Sequence, residues 1–468
     1  MKNRKREKII FLFFIIFIFF FTASFQNFRS NKEKKHCSHF FRNEIKSINK
    51  GLPFHSRRNR YAPDQILVKF KASLGIQAVE AFIAAYQTKK IKRIPRINVY
   101  QLQIPKNVTV EEMLFILRQN PDVEYAEPNY KVHISVTPND KYFRDQYSLF
   151  NSGQDIYWIP GSPQGKERAD IKATEAWEET IGDEEILIAV IDTGVDLNHP
   201  DIKNKIFSSG RDFVNNDFDA TDDNGHGTHV AGIAAAETNN RIGIAGVAWN
   251  CKILPVKVLD KIGEGYIDDV SDGIIWAVDK GANVINMSFG GIVNFGEGTV
   301  PKTLQNSLKD AYEKDVILVA AAGNDGGPVN WPASSEYCLA VAATNYTDER
   351  VTFLNSGELW ESNYGSEIDV AAPGEWIISL WPEELTPVGF DSYAWAPGTS
   401  MSTAHVSGLA ALIKSIKPWL NARDIRNVIC FSADDVNSAD YPGKDEFIGY
   451  GRINMEKALV PIKITNKK

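Results

Sequence analysis

Cysteine is scarce, with 4 in 468 residues. Cys37, Cys251, Cys338 and Cys430 are far apart and form no CxxC pair. That excludes a disulfide-dense fold and a cysteine-built zinc site. Three of the four fall after residue 133, so at least one has no partner there, and buried free thiols are expected. No GxGxxG or P-loop glycine pattern follows a strand-like run, which removes a nucleotide-binding reading. Positive charge is short where a nucleic-acid binder would need it: residues 133–468 carry 27 Lys and Arg against 49 Asp and Glu. No nucleic-acid partner is expected. The apolar run at 9–21 stops at 13 residues, short for a spanning helix. No repeat or low-complexity tract appears beyond it.

What is present divides the chain. Residues 1–60 carry 15 Lys and Arg against 3 Asp and Glu. Lys2, Arg4, Lys5, Arg6 and Lys8 precede the apolar run, so 1–24 reads as a signal peptide or an uncleaved membrane anchor. A membrane association is expected only in the second case. Residues 25–62 are a basic linker without period. Residues 63–132 show strand-like runs at 66–70, 99–104, 123–126 and 130–134, and helical ones at 75–86 and 109–119, with Thr109 as an N-cap. This is a small α+β unit. From 138 to 460, strand-like runs (186–191, 253–258, 284–287, 316–321) alternate with helical ones (226–236, 266–280, 301–314). That order implies an α/β fold, a mostly parallel sheet flanked by helices. Its ligand sites belong at the C-terminal ends of strands.

Three segments carry chemistry. A buried strand ends on Asp192 and is followed at once by Thr193-Gly194. His226 stands between two glycines at a helix start, and His229 lies one turn on. Ser400, in Gly398-Thr399-Ser400-Met401, precedes the apolar helical run 409–416. Each has a plain structural reading: a strand-capping carboxylate, a packing histidine, a helix N-cap. Zinc on His226 and His229 is the weaker reading, since no Glu sits between them as a metalloprotease helix requires. A serine hydroxyl becomes a nucleophile when a histidine takes its proton and a carboxylate orients that histidine. Asp192, His226 and Ser400 supply this set in the chain order Asp–His–Ser.

The motifs Ile191-Asp192-Thr193-Gly194, His226-Gly227-Thr228-His229-Val230-Ala231-Gly232, Ala322-Gly323-Asn324-Asp325 and Gly398-Thr399-Ser400-Met401 resemble the subtilisin family. The resemblance covers roughly 138–460. It implies a secreted serine endopeptidase acting through an acyl-enzyme, with Asn324 donating to the oxyanion. Sedolisins use Asp at that position and a Glu-containing triad, so Asn324 argues for the subtilisin branch. Ser288, Phe289 and Gly290 resemble the segment that pairs with an extended substrate, and Ala321, Ala322 and Gly323 the opposite pocket wall. Phe289 replaces the more usual Leu, and Ala404 stands where the family commonly has Pro. A silent binding relative is the competing class; such relatives usually lose at least one of the four catalytic positions, and here all four are intact.

The same resemblance implies structural Ca²⁺, held by Asp140, Asp201, Thr238, Asn240, Ile242 and Ile244. The acidic loop 217–223 is a poor EF-hand without its bidentate Glu and reads as solvated. Residues 63–132 resemble a subtilisin propeptide, a folding aid and inhibitor of its own protease, with self-cleavage expected between about 130 and 137. The expected partners are protein or peptide substrates and this propeptide, and the expected state is a monomer.

Overall fold

A computed structural model describes residues 61–130, 137–156, 162–291, 300–356 and 360–460. The segments read as export signal, linker and processing site lie outside the described residues, apart from 61–62, 130 and 137 at their edges. Contacts divide the chain into two units, Met1–Lys131 and Val132–Lys468.

In the first unit, four antiparallel strands stand in the order β2-β3-β1-β4. They are β1 Tyr61–Phe70, β2 Lys89–Ile94, β3 Val99–Gln103 and β4 Val123–Tyr130. Helices α1 Ile76–Ala85 and α2 Val110–Arg118 complete it. Ile66, Val68 and Phe70 alternate into a core with Phe82, Leu102, Met113 and Leu117. Thr109 caps α2 as expected: its hydroxyl accepts from Glu112 N, and the Glu112 carboxylate accepts from Thr109 N. The expected strand at 123–126 runs on through Pro128 to Tyr130, while 131–134 of the next expected run lie outside the described residues. Proline is tolerated there because β4 is an edge strand. β2 has no counterpart among the expected strands; its six residues are mostly exposed and basic, and no alternation marks them.

The second unit holds a seven-stranded parallel sheet in the order β11-β10-β9-β8-β5-β7-β6. Its strands are β5 Leu187–Asp192, β6 Arg211–Asp212, β7 Lys252–Lys257, β8 Val284–Met287, β9 Ile317–Ala321, β10 Cys338–Thr344 and β11 Val370–Pro373. A separate hairpin pairs β12 Ile377–Leu380 with β13 Tyr393–Ala396. Besides the single turn Ala173–Ala176, the α-helices of the unit's described residues are α3 His226–Ala235, α4 Ile267–Asp279, α5 Lys302–Glu313, α6 Thr399–Ile416, α7 Ala422–Ser432 and α8 Met455–Leu459. Every residue of β5 is buried, as a parallel strand covered on both faces requires. Ile188 and Val190 join the core of α3 and α6, with Val230 and Leu409. Leu187, Ala189 and Ile191 join that of α4 and α5, with Ile274 and Leu308.

Helix α6 runs through the centre of the first core, and its residues 399–414 are all buried. Its buried polar side chains are accordingly small or hydrogen-bonded: Ser402 Oγ donates to Ala372 O and Thr403 Oγ1 to Thr399 O, each at 2.8 Å. Ala404 sits fully buried inside it. The helix begins at Thr399, so Ser400 is its second residue and not the residue before it; the cap is Gly398. Cys251, Cys338 and Cys430 are buried free thiols, as expected. Among the described residues no helix is long and apolar enough to cross a membrane.

Candidate active site

Three adjacent strands, β9, β8 and β5, end side by side at one edge of the sheet. β5 ends on Asp192. Ser288 follows β8, and Gly323-Asn324 follow β9 closely. Parallel strands all point their C-terminal ends one way, so residues distant in sequence meet there.

Asp192 is fully buried and its Oδ1 lies 2.7 Å from His226 Nδ1. Thr193 N donates to the same oxygen at 2.8 Å. Asp192 Oδ2 is buried with no partner among the described residues. His226 opens α3 with 32% of its side chain exposed. Gly225 before it has φ +109°, and a Cβ there would sit 2.6 Å from the Trp381 ring. Gly227 is equally constrained, since a Cβ would lie 2.1 Å from Gly194 O. Gly227 thus lets the histidine's helix press against the turn after Asp192, while Gly225 leaves room for the Trp381 ring over the helix start. Burial of the ring works against its charged form. The Asp192 carboxylate, by charge and hydrogen bond, and then Asp222 outweigh this and hold the His226 pKa above its ordinary value.

Ser400 Oγ donates to Ser288 O at 2.9 Å rather than to His226. Ser288 Oγ donates in turn to Ser400 O at 2.9 Å. The side chain of Asn324 is pinned at one end: Oδ1 accepts from Thr399 N at 2.9 Å and from Thr399 Oγ1 at 3.0 Å. Nδ2 is left as a donor, 3.4 Å from where a Cβ on Gly398 would stand. Gly398 has φ +142°, a conformation for glycine. The N-terminal N–H groups of a helix have no partners within it, so α6 adds donors here.

Of the segments expected to bind substrate, 288–290 leave β8 and 321–323 leave β9, adjacent strands paired at Met287 and Ala320. Gly323 N donates to Thr399 Oγ1 at 3.2 Å, which ties the second segment to α6. A Cβ on Gly323, at φ +111°, would lie 2.3 Å from Asn363 Nδ2. Phe289 packs against the core under α4 and α5, and Gly290 against Asn330.

His229 is a packing residue. Its buried Nε2–H donates to the carbonyls of Ile377 and Ala394, each at 3.1 Å, and joins α3 to the β12–β13 hairpin. Burial pushes its pKa down to about 3.

The loop 237–246 closes around two carboxylates. Asn239 N donates to Asp140, and Asn240 Nδ2 to Asp201 Oδ1 at 2.7 Å. Ile244 N donates to Asp201 Oδ2 at 2.9 Å, and Ile242 N to Asn240 Oδ1 at 3.0 Å. Thr238 Oγ1 donates to Ala236 O and accepts from Gly246 N. Asp140 and Asp201 are both buried. Burial raises both pKa values, that of Asp201 to about 7, with Asp140 and Glu237 adding repulsion. Buried carboxylates that repel one another fit a hard cation. Among the described residues no three His, Cys, Asp or Glu side chains stand together, so amide, hydroxyl and backbone oxygens would complete any such shell.

Four residues of the site escape sequence reasoning: Asp222, Thr193, Thr228 and Thr399. The loop 217–223 reads as solvated; Asp217, Asp219 and Asp223 are exposed, but Asp222 is buried. A carboxylate four residues before His226 is the available signal.

A carboxylate, an imidazole, a hydroxyl and an amide at one sheet edge, beside two segments that leave adjacent strands, define a class: the serine proteases. Known proteins agree. The subtilase family model matches residues 183–451, and that of the fervidolysin N-terminal prodomain matches 52–129. A thermophilic serine proteinase of Bacillus sp. (strain AK1) is 39% identical over 404 residues, 86% of this chain and 88% of that protein. Thermitase of Thermoactinomyces vulgaris is 41% identical over 326 residues, 69% of this chain and 99% of its own. A solved protease from Pseudoalteromonas arctica is 32% identical with a TM-score of 0.56, covering 69% of this chain and 98% of its own. The chain belongs to the subtilase family, as a serine protease with a prodomain.

Proposed function

We propose that the protein is a secreted endopeptidase made as a zymogen that processes itself, with Ser400 as nucleophile, His226 as proton carrier, Asp192 as its orienting carboxylate and Asn324 as oxyanion donor. The observation that carries this reading is the 2.7 Å bond between Asp192 and His226 Nδ1, which leaves Nε2 to take a proton. Ser400 Oγ turns from Ser288 O toward Nε2 and attacks the peptide carbonyl as its proton passes to His226. The negative oxygen that forms accepts from Asn324 Nδ2 and from the backbone N–H of Ser400. His226 then protonates the leaving amine, and water releases the acyl group by the same route in reverse.

Residues 288–290 and 321–323 offer backbone on two sides of an extended peptide. The 63–132 unit serves as folding aid and inhibitor, and cleavage between about 130 and 137 frees the body 138–460. Its excess of positive charge against the acidic body supports docking. The basic start and apolar run of 1–24 support export, with retention at the membrane if that segment stays. Asp140, Asp201, Thr238, Asn240, Ile242 and Ile244 would hold Ca²⁺. Its chemistry there is structural: positive charge for two buried carboxylates.

The test expresses wild type and Ser400→Ala with calcium and follows propeptide release and casein hydrolysis. Wild type shortens and digests casein, and Ser400→Ala does neither. Equal processing and equal hydrolysis in both would overturn the assignment.

A further inference from the structure

One buried carboxylate beside the site has no part in the mechanism above. Asp222 belongs to the loop before α3 and is 5% exposed. Its Oδ1 accepts from Thr193 Oγ1 at 2.8 Å, Gly225 N at 2.9 Å and Asn224 N at 3.0 Å. Its Oδ2 accepts from Thr228 N at 2.9 Å and Thr228 Oγ1 at 2.6 Å. All these bonds point hydrogens at the carboxylate, a role suited to an acceptor-only group. The partners come from two places. Thr193 follows Asp192 directly, while Gly225 and Thr228 bracket His226.

Two further bonds close the link. Gly227 N donates to Thr193 Oγ1 at 3.0 Å, and Asp196 N to Thr228 Oγ1 at 2.8 Å. The turn 193–196 and the helix start 225–228 are thus held together through one carboxylate and two hydroxyls. Asp192 and His226 are carried on those two pieces, and their own contact is the single bond between Oδ1 and Nδ1. A small rotation of α3 against the turn would break it.

We propose that Asp222 is a positioning residue for His226, fixing the helix that carries the histidine to the turn that carries Asp192 so that the pair stays aligned. The proposal rests on the reading of His226 as the proton carrier. Asp222 also faces His226 as a negative charge. The other charged and titratable groups around it are few. Asp192 faces the ring from β5, and His229, one turn along α3, is neutral at working pH. Lys257 on β7 reaches the same turn, where its Nζ donates to Thr193 O at 2.7 Å and also binds Leu259 O and Asp223. Among the described residues, Asp192 and Asp222 favour the protonated imidazole by their charge.

The test uses the full chain with Asp222→Asn, Thr193→Val and Thr193→Ser, measuring kcat and KM separately on a chromogenic peptide across pH. In Asp222→Asn, kcat falls roughly ten- to a hundredfold with KM nearly unchanged, the loss expected of a misplaced catalytic group. The acid limb of kcat/KM moves to lower pH, because a charge favouring protonated His226 is gone. Thr193→Val loses kcat in the same direction, and Thr193→Ser, which keeps the hydroxyl, regains most of it. A lower melting temperature with kcat and acid limb unchanged would make Asp222 a helix cap only and overturn the proposal. If Asp222→Asn does not mature, the His226 Nδ1 proton resonance is titrated in Ser400→Ala precursors with and without Asp222→Asn. The transition moves to lower pH on substitution, and no movement overturns the proposal. This second reading needs no activity, so it stands apart from the assignment of Ser400: loss of that assignment shows in wild type alone.

Discussion

Asn324 has two ends with separable duties, and substitution pulls them apart. Its Oδ1 accepts from Thr399 N at 2.9 Å and from Thr399 Oγ1 at 3.0 Å, which satisfies the first N–H of α6. Its Nδ2 has no partner among the described residues and lies beside Gly398. Asn324→Asp keeps the accepting end and removes the donor. Asn324→Leu removes both. Losing the donor lowers kcat by roughly 10²–10³, or about 2.7–4 kcal/mol of transition-state stabilisation, the size known for the corresponding amide of subtilisin, a member of the same family. Losing the acceptor leaves a helix-start N–H unpaired, at a cost of about 1 kcal/mol in stability. In a unit of this size that lowers the melting temperature by roughly 2 °C. Steady-state kinetics on a chromogenic peptide and scanning calorimetry read the two effects. Both variants lose kcat with KM little changed, and only Leu loses stability. An Asp variant with kcat within tenfold of wild type, or a loss carried by KM, would refute the assigned donor.

Because His226 must be neutral to accept a proton and its pKa is raised above the ordinary 6.5, activity is lost earlier on acidification than for a free imidazole. The acid limb of kcat/KM should therefore have its midpoint above 6.5 and move down in Asp192→Asn, and a wild-type midpoint below 6.5 would contradict the geometry. Gly398→Ala places a methyl 3.4 Å from Asn324 Nδ2 at φ +142°, so kcat should fall by about tenfold or more, as for a displaced catalytic group; unchanged kinetics would count against that reading. Chelation should lower the melting temperature of wild type, since a ligand at 100 times its Kd adds about 2.7 kcal/mol. Asp201→Asn should be less stable and insensitive to added Ca²⁺; equal responses in both would place the ion elsewhere.

Much of this is legible in the sequence, for a physical reason. Strands of a parallel sheet buried on both faces read as apolar runs, so β5, β7, β8 and β9 are visible within a residue or two. Gly227 of the His226 motif marks a close approach to backbone, and Gly398 of the Ser400 motif a backbone conformation, φ +142°, that favours glycine, which makes those motifs conspicuous. β2 is illegible because it is an exposed basic edge strand, held by backbone pairing to β3 rather than by burial. The place of Ser400 inside α6 is hidden because Gly398-Thr399 looks like a loop, while the Asn324 side chain that satisfies Thr399 comes from 75 residues earlier. Asp222 is masked by its acidic neighbours, since composition cannot tell one buried carboxylate from three exposed ones. The expected calcium ligands include backbone oxygens, and a sequence carries no signal for which way a carbonyl turns.

In the proposed mechanism one hydroxyl among the many of this chain, that of Ser400, attacks the substrate. Treating matured enzyme with a phosphonyl fluoride and locating the adduct by mass spectrometry tests it directly. One adduct per molecule, on Ser400, formed alongside loss of activity and absent in His226→Ala, is the predicted result. Complete inactivation with the adduct on another residue, or full labelling of Ser400 without His226, would contradict it.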